Sequence, residues 1–319
     1  MSDDGFFDLS DGIDKGKGIT SFKNSEDQRN ALIALFGGHK NLPSSVMRAD
    51  RGRPTNDFDA PAKKYGYMAT SSLVVSGKLE KLPKRLQRGA TASGKGCQYG
   101  ALSSFPQNIL RTVVTLYSEP GQTVFDPFAG HNSRLHGCVS LGRHYIGCDL
   151  STEFMAFNNQ LAEKLRKKYP KVHIELHHTD SRKVPVPDEV GDMTITSPPY
   201  YDVEFYGDEP EQLGKCKTYE AFLHDLGLVL KENFRCLKPG AYCAWFINDF
   251  VRNGKMHFYH MDVKTLGEQA GFIAHDIMVV DFGPGIRDCF LNQTMQTKRI
   301  PKRHEYSIIF RKPTKEKKP

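Results

Sequence analysis

The sequence lacks any apolar run that approaches the roughly 18 residues of a membrane-spanning helix, although 39% of its 319 residues are hydrophobic. Cysteine is scarce: the seven cysteines include no Cys-x-x-Cys pair, so neither a disulfide framework nor a zinc ribbon is indicated. The N-terminus, "MSDDGFFDLSDGID", is acidic where a signal peptide would be basic and then apolar. These absences predict a cytoplasmic protein with a packed core, reduced thiols and no membrane partner.

Positive charge is in modest excess, +7 overall, and it is segregated along the chain. Residues 39–99 hold twelve Lys or Arg against four Asp or Glu, and a second basic block, "TKRIPKRHEYSIIFRKPTKEKKP", closes the sequence. A solvated basic face is the commoner meaning of one such run, but segregated charge also suits a polyanionic partner such as nucleic acid.

Apolar runs alternate with helical stretches from residue 104 onward. "SFPQNILRTVVTLYSE" has apolar residues at helical spacing, with Ser104 placed to cap it and Pro106 tolerated in the first turn. The runs "TVFDPFAG", "HYIGCDLS", "VHIELHHTD", "DMTITSPPY" and "AYCAWFIND" follow, and "FIAHDIMVVDFG" and "HEYSIIFRK" end the series. This order predicts an α/β fold with a doubly wound, mostly parallel sheet.

Polar or glycine-containing turns follow four successive predicted strands. Asp126 ends the first strand, and 23 residues later Asp149 ends the second, at a position from which an acid accepts both hydroxyls of a ribose. Asp180 ends the third strand, where it could meet an adenine edge, and "SPPY" ends the fourth. Because the carboxyl ends of parallel strands share one edge of a sheet, these turns are expected to converge on one crevice.

The "SPPY" turn is unusual, because two prolines can neither continue a helix nor donate to a sheet ladder. Taken alone, such a turn is more often a proline-rich loop than a site. Here it joins three other strand ends and combines a hydroxyl, a rigid backbone and an aromatic ring, which predicts a functional turn.

The chain resembles the DNA amino-methyltransferases, which use S-adenosylmethionine to methylate an exocyclic base nitrogen. "FDPFAG" is similar to their first cofactor motif, "SFPQNIL" to the cofactor-contacting segment before it, and "TSPPY" to their catalytic motif. The resemblance covers roughly residues 103–312 and implies a Rossmann-like methyltransferase fold with an antiparallel C-terminal strand. Where the family continues as Gly-x-Gly, this chain has Asn132 in place of the second glycine. Asparagine tolerates the left-handed conformation that such a turn requires.

The predicted organisation is a basic, partly irregular N-terminal region over 1–102, a methyltransferase domain over 103–312 and a basic tail over 313–319. By the resemblance, the catalytic residues are Ser197, Pro198, Pro199 and Tyr200. The cofactor-binding residues are Phe105, Pro106, Asp126, Pro127, Phe128, Ala129, Gly130, Asp149, Leu150, Asp180 and Ser181. No metal is expected.

The chemistry explains the rigid turn. An exocyclic amine has its lone pair delocalised into the ring, so it is a poor nucleophile until its hydrogens leave the base plane. The Ser197 hydroxyl and the Pro198 carbonyl are predicted to accept those two hydrogens, while Tyr200 stacks on a base flipped out of double-stranded DNA. None of the seven cysteines follows a proline, so the Pro-Cys nucleophile typical of methylation at a ring carbon is missing.

Several alternatives stay open at this stage. A first-position serine favours cytosine N4 over adenine N6 as the target. Protein glutamine methylation is less favoured, because that motif usually begins with Asn, and a methyltransferase-like module that only binds DNA is a further alternative. A nicotinamide oxidoreductase is disfavoured because no Gly-x-Gly-x-x-Gly follows the first strand. The element that reads the target is expected in the N-terminal region, in "YDVEFYGDEPEQLGK" or in "GPGIRDCFLNQTMQTKRIPKR"; the oligomeric state is not predicted.

Overall fold

Strands and helices alternate along most of the described chain, as the sequence pattern predicts. The computed structural model describes residues 44–49, 72–75, 78–81, 105–130, 133–203, 206–282, 296–300, 302 and 304–314. The predicted cap Ser104, the substituted position Asn132 and most of the region 1–102 lie outside these residues.

The strands are β1 (Val46–Arg48), β2 (Ser72–Val75), β3 (Lys78–Lys81), β4 (Thr123–Asp126), β5 (His144–Asp149), β6 (Ile174–His178), β7 (Gly191–Thr196), β8 (Leu237–Ile247), β9 (Phe250–Arg252), β10 (Lys255–His257), β11 (Ile273–Asp281) and β12 (His304–Arg311). The helices are α1 (Gln107–Tyr117), α2 (Ser133–Ser140), α3 (Thr152–Lys168), α4 (Tyr219–Cys236) and α5 (Tyr259–Gln269). Leu213–Lys215 forms a single 3₁₀ turn.

Eight strands form one sheet in the order β1-β11-β12-β8-β7-β4-β5-β6. The central strands β4 to β8 pair in parallel, whereas β12 runs antiparallel to both β8 and β11. The chain winds from β4 out to β6 and then returns to the other side of β4 with β7. The predicted doubly wound sheet with an antiparallel C-terminal strand is therefore confirmed, and β4 and β7 flank its switch point, where open α/β sheets bind ligands.

Burial is continuous over the last five residues of β8, 243–247, which shows that both faces of the sheet are covered there. Phe246 packs with the apolar residues of α1, α2 and α3, whereas Trp245 packs with those of α4 and α5. Successive side chains of a strand point to opposite faces, so helices cover each side. No helix within the described residues is both long enough and apolar enough to span a membrane.

The helices begin where local chemistry satisfies their first amide groups. Ser151 caps α3 by accepting from the Phe154 amide at 3.5 Å, and Thr218 caps α4 by accepting from the Ala221 amide at 3.1 Å. Pro106 precedes α1 as its N-cap residue, with φ −60°, rather than lying inside the first turn as predicted. The proline has no amide hydrogen to satisfy, so this position costs little.

Three features of the fold differ from the sequence prediction. Strand β8 begins at Leu237, four residues before the predicted run, and ends at Ile247. Within the N-terminal region predicted as irregular, β1 is an edge strand parallel to β11, and the Ala49 amide extends the pairing by donating to the Asp281 carbonyl at 2.9 Å. The β9–β10 hairpin was not predicted, because its strands are too short to show a period of two.

Candidate active site

A pocket opens at the carboxyl edge of the sheet, beside the switch point. Its volume, counting the open solvent at its mouth, is about 980 Å³. Residues from every predicted strand end contribute to its wall. Those that line it are Phe128, Gly130, Ser133, Arg134, Asp149, Leu150, Phe154, Asp180, Ser181, Ser197, Pro199, Tyr200, Tyr206, Glu211, Gln212, Leu213, Val229 and Glu305.

Asp126 ties the wall of the pocket to the sheet. Its carboxylate is fully buried and accepts from Arg134 Nε at 2.6 Å, Tyr145 Oη at 2.8 Å, Thr196 Oγ1 at 2.6 Å and the Phe128 amide at 3.2 Å. A buried charge is tolerated only when it is paired and hydrogen-bonded in this way. Asp126 therefore joins β4, β5, β7 and α2 from within the protein.

Asp149 holds the turn that follows β4. One carboxylate oxygen accepts from the Gly130 amide at 2.7 Å and the other from the Ser151 amide at 2.8 Å. Gly130 has φ +53°, and its carbonyl accepts from Asn158 Nδ2 at 2.8 Å. Burial raises the pKa of Asp149 to about 6, although these two amides act in the opposite direction. The pocket thus contains a carboxyl group that titrates close to neutrality.

Asp180 and Ser181 form the part of the wall that follows β6. The Asp180 carboxylate accepts from Arg182 Nη2 at 2.6 Å, and the same guanidinium also binds Asp225 on α4. The Ser181 hydroxyl donates to the Pro127 carbonyl. The Ser181 contact fastens the loop after β6 to the loop after β4, and the Arg182 contacts fasten the loop after β6 to α4.

The turn Ser197–Tyr200 forms the rim beside the switch point. The Pro199 carbonyl accepts from the Tyr259 hydroxyl at 3.0 Å, and Tyr259 is itself fully buried. Directly after the turn, Tyr201 has φ +47°, a left-handed conformation that costs a non-glycine residue roughly 1–2 kcal/mol. Its ring packs on Phe222 with centroids 5.6 Å apart. The surrounding packing therefore holds the chain in a bend it would otherwise avoid.

Tyr200 is held at both ends of its side chain. Its hydroxyl donates to Glu305 Oε1 at 2.9 Å, and its ring meets that of Tyr259 edge to face, with centroids 6.0 Å apart. Glu305 lies on β12 and also lines the pocket. The ring orientation is therefore set by a strand more than a hundred residues away in sequence.

Nine of the predicted site residues line the pocket: Phe128, Gly130, Asp149, Leu150, Asp180, Ser181, Ser197, Pro199 and Tyr200. The other six are not among the residues that line it: Phe105, Pro106, Asp126, Pro127, Ala129 and Pro198. Phe105, for example, is 7% exposed, meets Phe246 edge to face and donates its amide to Ser133 Oγ at 3.2 Å.

Sequence reasoning missed Arg134, Tyr259 and Glu305. Arg134 follows the cofactor motif by four residues, so its place in "AGHNSR" was an available signal. Glu305 reaches the site through the pairing of β12, and Tyr259 reaches it through the packing of α5. No local sequence pattern marks either residue. Phe154 and Tyr206, which meet with ring centroids 6.4 Å apart, line the pocket and were also missed.

A family model described as DNA methylase, for N6 and N4 methyltransferases, matches residues 13–160 and 191–319. The chain belongs to this DNA methylase family. This assignment confirms the resemblance to the DNA amino-methyltransferases seen in its motifs. No curated protein sequence matches the chain.

Several solved structures are similar to parts of the chain. TrmN from Thermus thermophilus is 17% identical with a TM-score of 0.43, over 66% of this chain and 50% of that one. A SAM-dependent methyltransferase from Methanosarcina mazei is 15% identical with a TM-score of 0.44, over 64% of this chain and 98% of that one. A protein proposed to be a DNA modification methylase, also from Thermus thermophilus, is 27% identical with a TM-score of 0.32, over 44% and 55%. The chain thus spans half the length of TrmN, and the family assignment comes from the sequence model.

The pocket suits S-adenosylmethionine. Gly130 supplies the left-handed turn, with φ +53°, and Asp149 offers carboxylate oxygens beside it. Phe128 and Leu150 supply apolar surface for an adenine ring. These residues would hold the cofactor, and Ser197 and Tyr200 line the same pocket.

Proposed function

We propose that the protein transfers a methyl group from S-adenosylmethionine to the exocyclic amine of a base flipped out of double-stranded DNA, with cytosine N4 as the favoured target. The observation that carries this proposal is that Ser197 and Tyr200 of the proline-stiffened turn line the same pocket as Gly130 and Asp149.

Ser197 and Pro198 are proposed to bind the amine. The Ser197 hydroxyl and the Pro198 carbonyl accept its two hydrogens, which draws them out of the base plane and leaves the lone pair directed at the methyl group. The following carbonyl, that of Pro199, is already engaged by Tyr259. This supports Pro198 as the backbone acceptor. Because the turn is fixed before binding, little reorganisation is needed to reach the reactive geometry.

Tyr200 is proposed to hold the base by stacking. The hydrogen bond to Glu305 and the contact with Tyr259 orient its ring before the base arrives. Stacking on an aromatic ring contributes about 1–3 kcal/mol per base, enough to offset part of the cost of leaving the duplex.

Asp149 and the turn it holds are proposed to position the cofactor. S-adenosylmethionine supplies an electrophilic methyl group on a sulfonium. Asp149 accepts the ribose hydroxyls, while Phe128 and Leu150 cover the adenine and Asp180 contacts its edge. In this arrangement no covalent bond forms between the protein and the base, since the nucleophile is the base nitrogen itself.

Nucleoside analysis of methylated DNA tests the proposal. Duplex DNA is incubated with purified protein and S-adenosylmethionine, and its nucleosides are separated by mass spectrometry. N4-methylcytosine is the expected product; N6-methyladenine would keep the mechanism and correct the base. A folded, cofactor-binding protein that leaves all DNA unmethylated would contradict the proposal, with Ser197→Ala as the matched inactive control.

A further inference from the structure

A hairpin with a two-residue turn projects from the edge of the sheet that carries the catalytic turn. Strands β9 and β10 pair antiparallel, with Lys255 opposite Arg252. The residues between them, Asn253 and Gly254, have φ +49° and +76°. Two successive left-handed residues form a type I′ turn, whose twist matches that of the strands it joins. The hairpin is therefore a stiff ribbon.

The base of the hairpin is fastened to the catalytic turn. Phe250 stacks on His257 with ring centroids 5.1 Å apart, and Phe250 also packs against Tyr259, which binds the Pro199 carbonyl. Arg252 Nε donates to Asp202 Oδ2 at 2.8 Å, two residues beyond Tyr200. The position of the ribbon is thus set relative to the site of chemistry.

A second segment lies against the tip of the hairpin. Arg299 Nη2 donates to the Gly254 carbonyl. Next to it, Ile300 is 90% exposed, the highest value among the exposed large apolar side chains of the described residues. Its alkyl side chain is therefore accessible to a partner.

These two segments form one ridge, defined as residues 250–257 together with 296–300. The ridge contains four cations, Arg252, Lys255, Lys298 and Arg299, and no Asp or Glu. Topology explains why they meet: β8 ends, and β12 begins, at the same sheet edge as the end of β7. The four cations and the stiff hairpin therefore lie together at the sheet edge that carries the pocket.

We propose that this ridge docks on duplex DNA, with the hairpin in the major groove. The groove, about 12 Å wide, admits a two-stranded ribbon. Lys255 and Lys298 pair with phosphates, while Asn253 at the tip and Ile300 contact base edges, an amide for hydrogen bonds and an alkyl group for a thymine methyl. The inference rests on the proposed function, since it names the surface by which that same site receives its DNA.

A charge-neutralising pair tests the phosphate contacts. Lys255→Gln combined with Lys298→Gln is compared with Lys167→Gln combined with Lys171→Gln. Of the control lysines, Lys167 lies in the last turn of α3 and Lys171 lies three residues beyond its end. Because α3 begins at the carboxyl edge of the sheet and runs away from it, both lysines lie far along the chain from the pocket end of that helix. Fluorescence anisotropy with a duplex oligonucleotide at several salt concentrations gives the slope of log affinity against log salt. The ridge pair should make the slope shallower by about 1.8, or 0.9 for each lost phosphate contact.

Equal slopes for the ridge pair and the control pair would overturn the proposal. So would an equal effect of the ridge pair on double-stranded RNA, because the deep, narrow major groove of RNA excludes a ribbon. Methylation of DNA by the parent protein is measured in parallel. If the parent methylates DNA but the ridge pair and the control pair give equal slopes, the ridge does not dock on DNA and the proposed function stands. If the parent does not methylate DNA, the proposed function is wrong.

Substitution of the tip tests base reading. Asn253→Ala and Ile300→Ala are expressed separately, and methylated positions in the host DNA are sequenced. Loss of one good base contact should reduce discrimination against the wrong base roughly 5- to 150-fold at one position of the target, while cofactor affinity stays at the parent value. Site preferences identical to the parent's in both variants would show that the tip does not read bases.

Discussion

At the scale of single residues, the site depends on side chains whose neighbours prepare them for one task. Ser197 sits on a turn stiffened by two prolines, Tyr200 is oriented by Glu305, and the half-buried Asp149 holds the Gly130 turn. Each arrangement makes a distinct, measurable prediction, because the three residues act on different steps: reshaping the amine, holding the base and binding the cofactor.

Asp149 should make cofactor binding depend on pH. Ribose hydroxyls donate best to an ionised carboxyl group, and the pKa of Asp149 in the free protein is about 6 because of burial. Affinity for S-adenosylmethionine should therefore be full above pH 7 and fall by about tenfold towards pH 5, as one protonation requires.

The Asp149→Ala variant is the control for this effect. It should bind the cofactor about 1.5–3 kcal/mol more weakly at pH 7.5 and lose the pH dependence between 5 and 7. Isothermal titration calorimetry measures both. If the variant binds S-adenosylmethionine as tightly as the parent, or with the same dependence on pH, Asp149 does not contact the cofactor.

Alanine substitutions of Ser197 and Tyr200 should impair different steps of methyl transfer. Ser197→Ala removes an acceptor that matters mainly as the amine approaches the transition state, so single-turnover methyl transfer should slow while DNA and cofactor affinities are kept. Tyr200→Ala should also weaken capture of the base, by about 1–3 kcal/mol.

Tyr200→Phe and Glu305→Ala separate stacking from orientation, because each removes the hydrogen bond between the two side chains and keeps the rest of the turn. On sequence grounds Tyr200→Phe should be mild, yet it removes the hydrogen bond to Glu305. Both variants should therefore show the same small loss of base capture, measured with a fluorescent base analogue at the target position.

For the catalytic role of the turn, the decisive variant is Ser197→Ala. A Ser197→Ala protein that transfers methyl groups at the parent rate would contradict that role.

At the scale of elements, close contacts between α5 and β12 keep the wall of the site in place. A Cβ added at Gly267 on α5 would lie 2.4 Å from the ring of Phe310 on β12. No heavy atoms approach that closely without movement of one of them. The same helix supplies Tyr259, which holds the Pro199 carbonyl, and the same strand supplies Glu305.

Gly267→Ala should therefore destabilise the protein by about 1–3 kcal/mol, the usual cost of overpacking a core. Gly227→Ala on α4 is the matched control: its Cβ would meet Leu266 at an ordinary 3.4 Å, so alanine should stabilise that helix by about 0.5–1 kcal/mol. Chemical denaturation compares the two. A Gly267→Ala protein as stable as the parent would mean that α5 moves freely against β12.

At the scale of the whole molecule, positive charge is expected to bring the protein to DNA. The basic N-terminal region 1–102 lies mostly outside the described residues, and its role in binding stays a prediction from charge alone. Neutralising Arg51, Arg53, Lys63 and Lys64 should make the salt dependence of DNA affinity shallower. Binding measured from low to high salt checks this, and an affinity insensitive to salt in the parent would reject a phosphate-based mode.

The sequence by itself determined the order of strands and helices, the family and the segments that form the pocket. Local signals carry this information: apolar runs end at Asp126, Asp149 and the two prolines, and chain order then places those ends on one sheet edge. The left-handed turn at Gly130 was also readable, since glycine accepts that conformation at low cost.

Only the tertiary structure decided which of those residues reach the pocket and which distant ones join them. Asp126 resembles a ligand-binding residue in sequence, yet four donors from separate elements occupy its carboxylate. Glu305 and Tyr259 become part of the site through the antiparallel pairing of β12 with β8 and the packing of α5. The physical reason is that strand pairing and core packing join residues far apart in sequence, and no local pattern records which partners they will meet.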